Sequence, residues 1–281
     1  MIQLGVDVGG STTKIAGVDS NGRTVATLQV RAADQATSMY GAVGRFLHEN
    51  RLSLSDIERV SLTGVGASFF SGELYGIPVE KVSEFESIGL GALQLSGLTR
   101  VIAASVGTGT AFIRATERGA TRLGGTGVGG GTLLGLSSLL LSEEDVGRVS
   151  ELSALGDPAN VDLLMGVISA EDIPALPRFA TAANFGNVNP TTRREDLARG
   201  VTNLIAQTIG MMAVFLTRND PDGISDVVLV GSVSNLPQFA DVMAAISAMT
   251  GVRFTIPENA TFATAFGALS LSRAQSTGSH R

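Results

Sequence analysis

The chain has 281 residues, 44% of them apolar and 16% charged, enough for one large or two medium globular domains and too apolar for a disordered chain. A net charge of −6 argues against a nucleic-acid footprint, so an anionic ligand would have to be held by local features rather than by the overall field. The absence of cysteine excludes disulfides, thiolate metal sites and cysteine nucleophiles, and His48 and His280 alone make a histidine triad or metal cluster unexpected.

The opening "MIQLGVDVGG" has no basic leader and reads as a strand rather than a signal peptide. That strand stops at Gly9-Gly10; "KIAGVDSNG" returns as a second strand to an Asn21-Gly22 turn, and "TVATLQV" makes a third. A helix follows with Met39, Val43, Phe46 and Leu47 on one face. The text then predicts a strand over 60–66, a short helix over 67–74, a strand over 78–85 and a helix over 86–97. From residue 99 the opening theme returns: "IAASVGTGTAFIRATERG" repeats the order of "LGVDVGGSTTKIAGVDSNG", an apolar strand, a small-residue turn, a returning strand and a polar glycine turn. Helices are expected over 132–142, in parts of 143–168, and over 190–218. A strand at 224–231, a helix at 236–250, a strand at 252–257 and a closing helix at 261–275 complete the chain, with a frayed tail "STGSHR". The longest apolar stretch, 203–216, is interrupted by Asn203, Gln207, Thr208 and Gly210, too polar for a membrane span, so a soluble cytoplasmic protein is expected.

Strands alternating with helices imply an α/β fold, and the repeated start implies two similar halves with a ligand cleft between them. The division expected is 1–97 and 98–281, with the closing helix, 262–275, packed back on the first half.

Three turns carry the ligand chemistry. In "DVGGSTTK", Gly9 and Gly10 leave room for an oxygen-rich ligand, Ser11, Thr12 and Thr13 offer hydroxyls, Lys14 can reach a phosphate, and Asp7 suits a magnesium shell. A plain hairpin with a solvated Asp and Lys is the competing reading. The second turn, "SVGTGTA", offers the same chemistry through Gly107, Thr108, Gly109 and Thr110, and two opposed turns grip a phosphate better than one. The third, "VVLVGSVSN", ends a strand at Gly231-Ser232, where a nucleoside could lie. Beside them stands "GGTGVGGGTLLG", residues 124–135, with seven glycines between a strand and a helix. Its N–H groups are expected to collect at the helix N-terminus and to favour an anion, through Gly127, Gly129, Gly130 and Gly131. It is neither the P-loop lysine motif nor a dinucleotide fingerprint.

These residues, in this order, resemble the acetate and sugar kinase, Hsp70 and actin superfamily, and more closely the type II pantothenate kinases. "GVDVGGSTTKI" and "SVGTGTA" are similar to the family's two phosphate loops, "SEFES" to its catalytic-glutamate segment and "RLGGTGVGGGTLLGL" to its glycine-rich signature. "TAANFGN" (181–187), "VLVGS" and "PENATFATAFGAL" resemble further family segments. The resemblance implies two ribonuclease-H-like halves around a nucleotide cleft, a homodimer, and ATP- and magnesium-dependent phosphorylation of pantothenate, the first committed step to coenzyme A. It implies Glu84 as general base, Asp7 as magnesium holder, Arg122 as pantothenate binder, and Thr108, Thr181, Ala182 and Asn184 near the pantothenate arm. Glu84 follows an apolar strand and precedes a helix, which aims it at the proposed cleft; Glu86, in the helix's first turn, is the rival base. A guanidinium directly before the glycine run also suits a carboxylate such as that of pantothenate. A sugar or amino-sugar kinase of the same superfamily and a non-catalytic ATP-binding protein are the alternatives.

Overall fold

The computed structural model describes residues 1–31, 34–171, 173 and 176–278. Strands β1 (Ile2–Val8), β2 (Thr12–Asp19) and β3 (Thr24–Arg31) form the antiparallel meander the alternating text predicts. Helix α1 (Gln35–Glu49) starts where the Asp34 carboxylate accepts from Thr37 N at 2.7 Å, and buries Met39, Ala42, Val43, Phe46 and Leu47 on the meander. β4 (Ile57–Thr63) and β5 (Val79–Lys81) extend the sheet in parallel from β1, giving the order β3-β2-β1-β4-β5.

The second half repeats this plan. β6 (Arg100–Val106), β7 (Thr110–Thr116) and β8 (Gly119–Thr126) form an antiparallel meander. Helices α3 (Gly130–Leu141), α4 (Val146–Leu155), a short hairpin β9 (Leu163–Leu164) and β10 (Thr181–Ala183) around α5 (Met165–Ile168), and α6 (Arg194–Arg218) are inserted before the parallel strands. β11 (Asp226–Val230), α7 (Pro237–Thr250) and β12 (Arg253–Thr255) then complete the order β12-β11-β6-β7-β8. α6 is long and apolar enough to cross a membrane, yet most of its apolar stretch is buried: Val201, Ile205, Ile209 and Val214 belong to the core shared with α3, α4, α7 and the second sheet.

Two helices are exchanged between the sheets. α2 (Glu84–Ser96), which follows the first sheet, lies on the second, with Ile88 and Ala92 among Val101, Ile113 and Val228. α8 (Ala263–Gly278), which ends the chain, lies on the first, with Ala265, Phe266 and Leu269 against Ala16 and Val18. They cross each other at glycines: a Cβ on Gly91 would overlap the Ala263 carbonyl, and one on Gly267 the Ser87 carbonyl. Their backbones are therefore in direct contact.

Among the elements, the structure differs from the sequence expectations most at residues 67–74, at the start of α2 and at the C-terminus. Of residues 67–74 only the first three are helical, as the end of a short 3₁₀ helix, Val65–Phe69; a Leu74–Ile77 bridge follows, and Gly72, with φ of 92°, cannot continue the helix. The strand over 78–85 is only three residues, since Ser83 caps α2 and the helix begins at Glu84 rather than 86. α8 stays helical to Gly278, past the start of the expected frayed tail, and His280 lies outside the described residues.

Candidate active site

The β1–β2 and β6–β7 turns meet. Ser11 Oγ and Thr108 Oγ1 are 3.0 Å apart, linking residues 97 positions distant in sequence. Each turn is closed by its own glycine: Gly9 N donates to Thr12 O and Gly107 N to Gly109 O, both at 2.9 Å. The next two N–H groups of each turn, those of Gly10 and Ser11 and of Thr108 and Gly109, engage no protein acceptor among the described residues. Two pairs of open amides thus flank the hydroxyl contact, an arrangement suited to an anion.

Asp7 and Lys14 are register partners on β1 and β2, both largely buried, with Lys14 Nζ 3.8 Å from Asp7 Oδ2. Burial pushes the Asp7 carboxyl above its usual range, and the lysine charge only partly opposes this. Gly64, at the end of β4, makes the room: a Cβ there would sit 2.6 Å from Asp7 Oδ1, and its φ of 92° excludes other residues independently. The sequence reading missed Gly64, although the strand-ending "TGVG" held the signal.

Glu84 is the first residue of α2 and is half-buried, whereas Glu86 is exposed. Ser83 sets its place: its hydroxyl accepts from Glu86 N at 3.4 Å, and Val82 N bonds Leu62 O at 2.9 Å, tying the helix start to the first sheet. Desolvation pushes the Glu84 carboxyl up, the Asp7 charge adds to this, and Lys14 opposes both. The charges of Asp7 and Lys14, which flank the first turn, therefore act on Glu84. Phe85, also missed in the sequence, lies under Arg122 of β8, whose guanidinium carbon is 5.3 Å from the ring centroid. Arg122 has no carboxylate partner among the described residues and is exposed. The Arg122 guanidinium is thus held over Phe85, the residue that follows Glu84 in α2.

The glycine run does something other than expected. Gly130 N donates to Gly107 O and Gly131 N to Thr108 O, each at 2.8 Å, and Gly129 N donates to Thr132 Oγ1. A Cβ on Gly129 would sit 2.8 Å from the backbone of Gly109, and one on Gly130 2.9 Å from Gly107 O. The backbone these glycines approach is the second turn. Gly130 and Gly131 spend their N–H groups on that turn, and of the four glycines expected to collect an anion only Gly127 has open space and an unengaged N–H. The run is a support that fixes the Gly107–Gly109 turn from behind.

Gly231 is likewise explained by packing: φ is 98° and a Cβ would sit 2.5 Å from Val106 O, while Ser232 follows it at the end of β11. Thr181, Ala182 and Asn184 lie on and after β10. Thr181 accepts from Gln207 Nε2 at 2.8 Å and Asn184 donates to Gln207 Oε1 at 3.2 Å and to Asp162, so their bonds run to α6 and to the residue before β9 and not to Glu84 or Arg122.

Residues 101–251 match the Fumble family model, more than half of the chain. A type II pantothenate kinase of Staphylococcus aureus is 30% identical over 283 residues, covering 97% of this chain and all of the relative. The chain belongs to the type II pantothenate kinase family. Among solved structures, the activator of the 2-hydroxyisocaproyl-CoA dehydratase from Clostridium difficile with bound ADPNP superposes with a TM-score of 0.71 at 15% identity, over all of this chain and 98% of that one. A ROK family glucokinase from Streptomyces griseus in complex with glucose and AMPPNP gives 0.65 at 14% identity, over 98% and 100%. At these identities the likeness concerns the fold: two α/β halves of the actin-like ATPase type.

For a type II pantothenate kinase the charge balance at the turns is informative. Two carboxylates, Asp7 and Glu84, share one lysine, and each is pushed up. A divalent cation beside Asp7 would relieve this, so the donor set fits magnesium; among the described residues no group of three or more acidic or histidine side chains is placed to hold a metal, so the remaining ligands would be phosphate oxygens and water.

Proposed function

We propose that the protein transfers the γ-phosphoryl group of ATP to the primary hydroxyl of pantothenate, giving 4′-phosphopantothenate. Family membership supports the reaction class, and one observation supports the mechanism: Asp7 and Lys14 pair at 3.8 Å beside the first turn and their charges act on the half-buried Glu84, while Arg122 lies over Phe85, the next residue of α2. Phosphoryl transfer needs positioning and charge neutralisation more than covalent chemistry. The open amides of Gly10, Ser11, Thr108 and Gly109 would hold phosphate oxygens, with Lys14 adding positive charge. Asp7 would hold magnesium, which when bound neutralises charge on the phosphates. Glu84 would accept the hydroxyl proton, a task favoured by a carboxyl raised toward neutrality. Arg122 would pair with the pantothenate carboxylate, its plane set by Phe85. The nucleoside would lie toward Gly231 and Ser232, and the acceptor's arm along Thr181, Ala182 and Asn184. On the same ground we infer a cytoplasmic homodimer that opens coenzyme A synthesis, with its halves divided near residue 97.

The test is ADP release in a coupled assay with pantothenate, with N-acetylglucosamine and with no acceptor. ADP formed only with pantothenate is the expected result; turnover indifferent to pantothenate, or driven by the amino sugar, would overturn the reading.

A further inference from the structure

Asp162 precedes β9, is 1% exposed, and takes no part in the chemistry above. Its Oδ1 accepts from Phe185 N at 2.8 Å, its Oδ2 accepts from Asn203 Nδ2 at 2.5 Å, and the Asn184 side chain also donates to it. Asn203 reaches Thr181 Oγ1 at 3.5 Å as well, and Gln207, one turn further along α6, joins Thr181 to Asn184. The buried acid therefore holds one end of the exposed ledge at 181–184 directly, through Asn184 and Phe185 N, and reaches the other through Asn203.

The ledge is irregular in two ways. The β9–β10 register shifts between Thr181 and Ala183, which leaves Ala182 exposed and outside the ladder. Phe185 has φ of 59°, the left-handed region, which costs a bulky residue about 1 kcal/mol or more. Bulges and strained residues persist where surrounding bonds over-determine them, and they concentrate at ligand sites. Burial pushes the Asp162 carboxyl up and its three donors pull it down. Apolar side chains would fill this space at lower desolvation cost, so the polar network is suited to fixing geometry rather than to filling a core.

We infer that Asp162 is a positioning residue: through Phe185 N, Asn184 and Asn203 it holds Thr181–Asn184 in the shape that receives the acceptor substrate. The inference rests on the proposed reading that this ledge lines the pantothenate arm. Asp162→Asn keeps the size but turns an amide N–H₂ toward one of its donors. The exchanged pair Asp162→Asn with Asn203→Asp restores a donor opposite an acceptor.

The test combines steady-state kinetics with hydrogen exchange on the full chain. D162N is expected to raise the pantothenate KM about tenfold while kcat and the ATP KM stay within about twofold, and the double variant to recover most of the loss. The Phe185 amide should exchange at least about tenfold faster in D162N. A pantothenate KM that does not move, an equal rise in the ATP KM, or unaltered exchange at Phe185 would overturn the inference. Should D162N fail to fold, Asn203→Ala, which removes one of the three donors, takes the same test with the same expected shifts. Wild-type protein that releases ADP without regard to pantothenate would instead overturn the substrate reading, and is seen before any variant is made.

Discussion

Glu84 is separated from Glu86 by burial and company, not by spacing. Both stand in the first turn of α2, but Glu84 is half-buried, with the charges of Asp7 and Lys14 acting on it, and Glu86 is exposed. Glu84→Gln is expected to lower kcat about 10²-fold or more with ATP affinity nearly intact, while Glu86→Gln stays near wild type, by steady-state kinetics and nucleotide titration. Arg122→Ala should raise the pantothenate KM by about tenfold or more with little change for ATP, since it removes a charge-assisted pair to the acceptor alone. The pH profile follows from the direction of the Glu84 shift. The base acts ionised, so activity is lost as pH falls through its raised pKa, and the acid limb of kcat/KM lies above the ordinary carboxylate range. Lys14→Met removes the charge that opposes the rise and should move that limb to still higher pH; a limb that stays put would detach Lys14 from the base. At this scale the acid, the lysine and the arginine were legible as chemistry placed at turns. Gly64, Phe85 and Asp162 were not, because their roles lie in contacts across strands and helices: Asp162 meets Phe185 and Asn203, 23 and 41 positions away.

The α2–α8 crossing ties each half to the other's helix, and α2 carries Glu84, the proposed base, at its tip. Gly267→Ala would press a methyl into the Ser87 carbonyl, with backbone on both sides unable to yield. It should destabilise by about 2–3 kcal/mol and lower the melting temperature by several degrees in a thermal scan. Gly44→Ala, on the exposed face of α1 with nothing within 4 Å of the new methyl, is the contrast: it should be neutral or stabilising by up to about 1 kcal/mol. Equal effects would mean that close approach is not what the glycine serves. The start of α2 was readable in "SEFE", a cap residue with a glutamate three positions later, yet the apolar run before it drew the strand too far. The glycine run suggested an anion site, and its actual partner was not legible because Gly107 and Thr108 are over twenty residues away and the bonds are main-chain to main-chain.

At the scale of the molecule, the repeat of strand, glycine turn and returning strand was visible at the level of text, and it became two sheets of matching order whose turns meet at Ser11 and Thr108. The inserted helices of the second half were visible only as helices; their packing around α6 depends on contacts between distant segments that periodicity does not encode. On the proposed reading a triphosphate is received where the turns meet, exchanging one hydroxyl contact for several bonds to phosphate oxygens. The most direct measurement is a crystal structure of the protein with magnesium, a non-hydrolysable ATP analogue and pantothenate. The γ-phosphorus is expected between the Gly10–Ser11 and Thr108–Gly109 amides, with the pantothenate hydroxyl between it and Glu84. A nucleotide whose γ-phosphorus sits away from both turns and from Glu84 would contradict the grip and the reaction built on it.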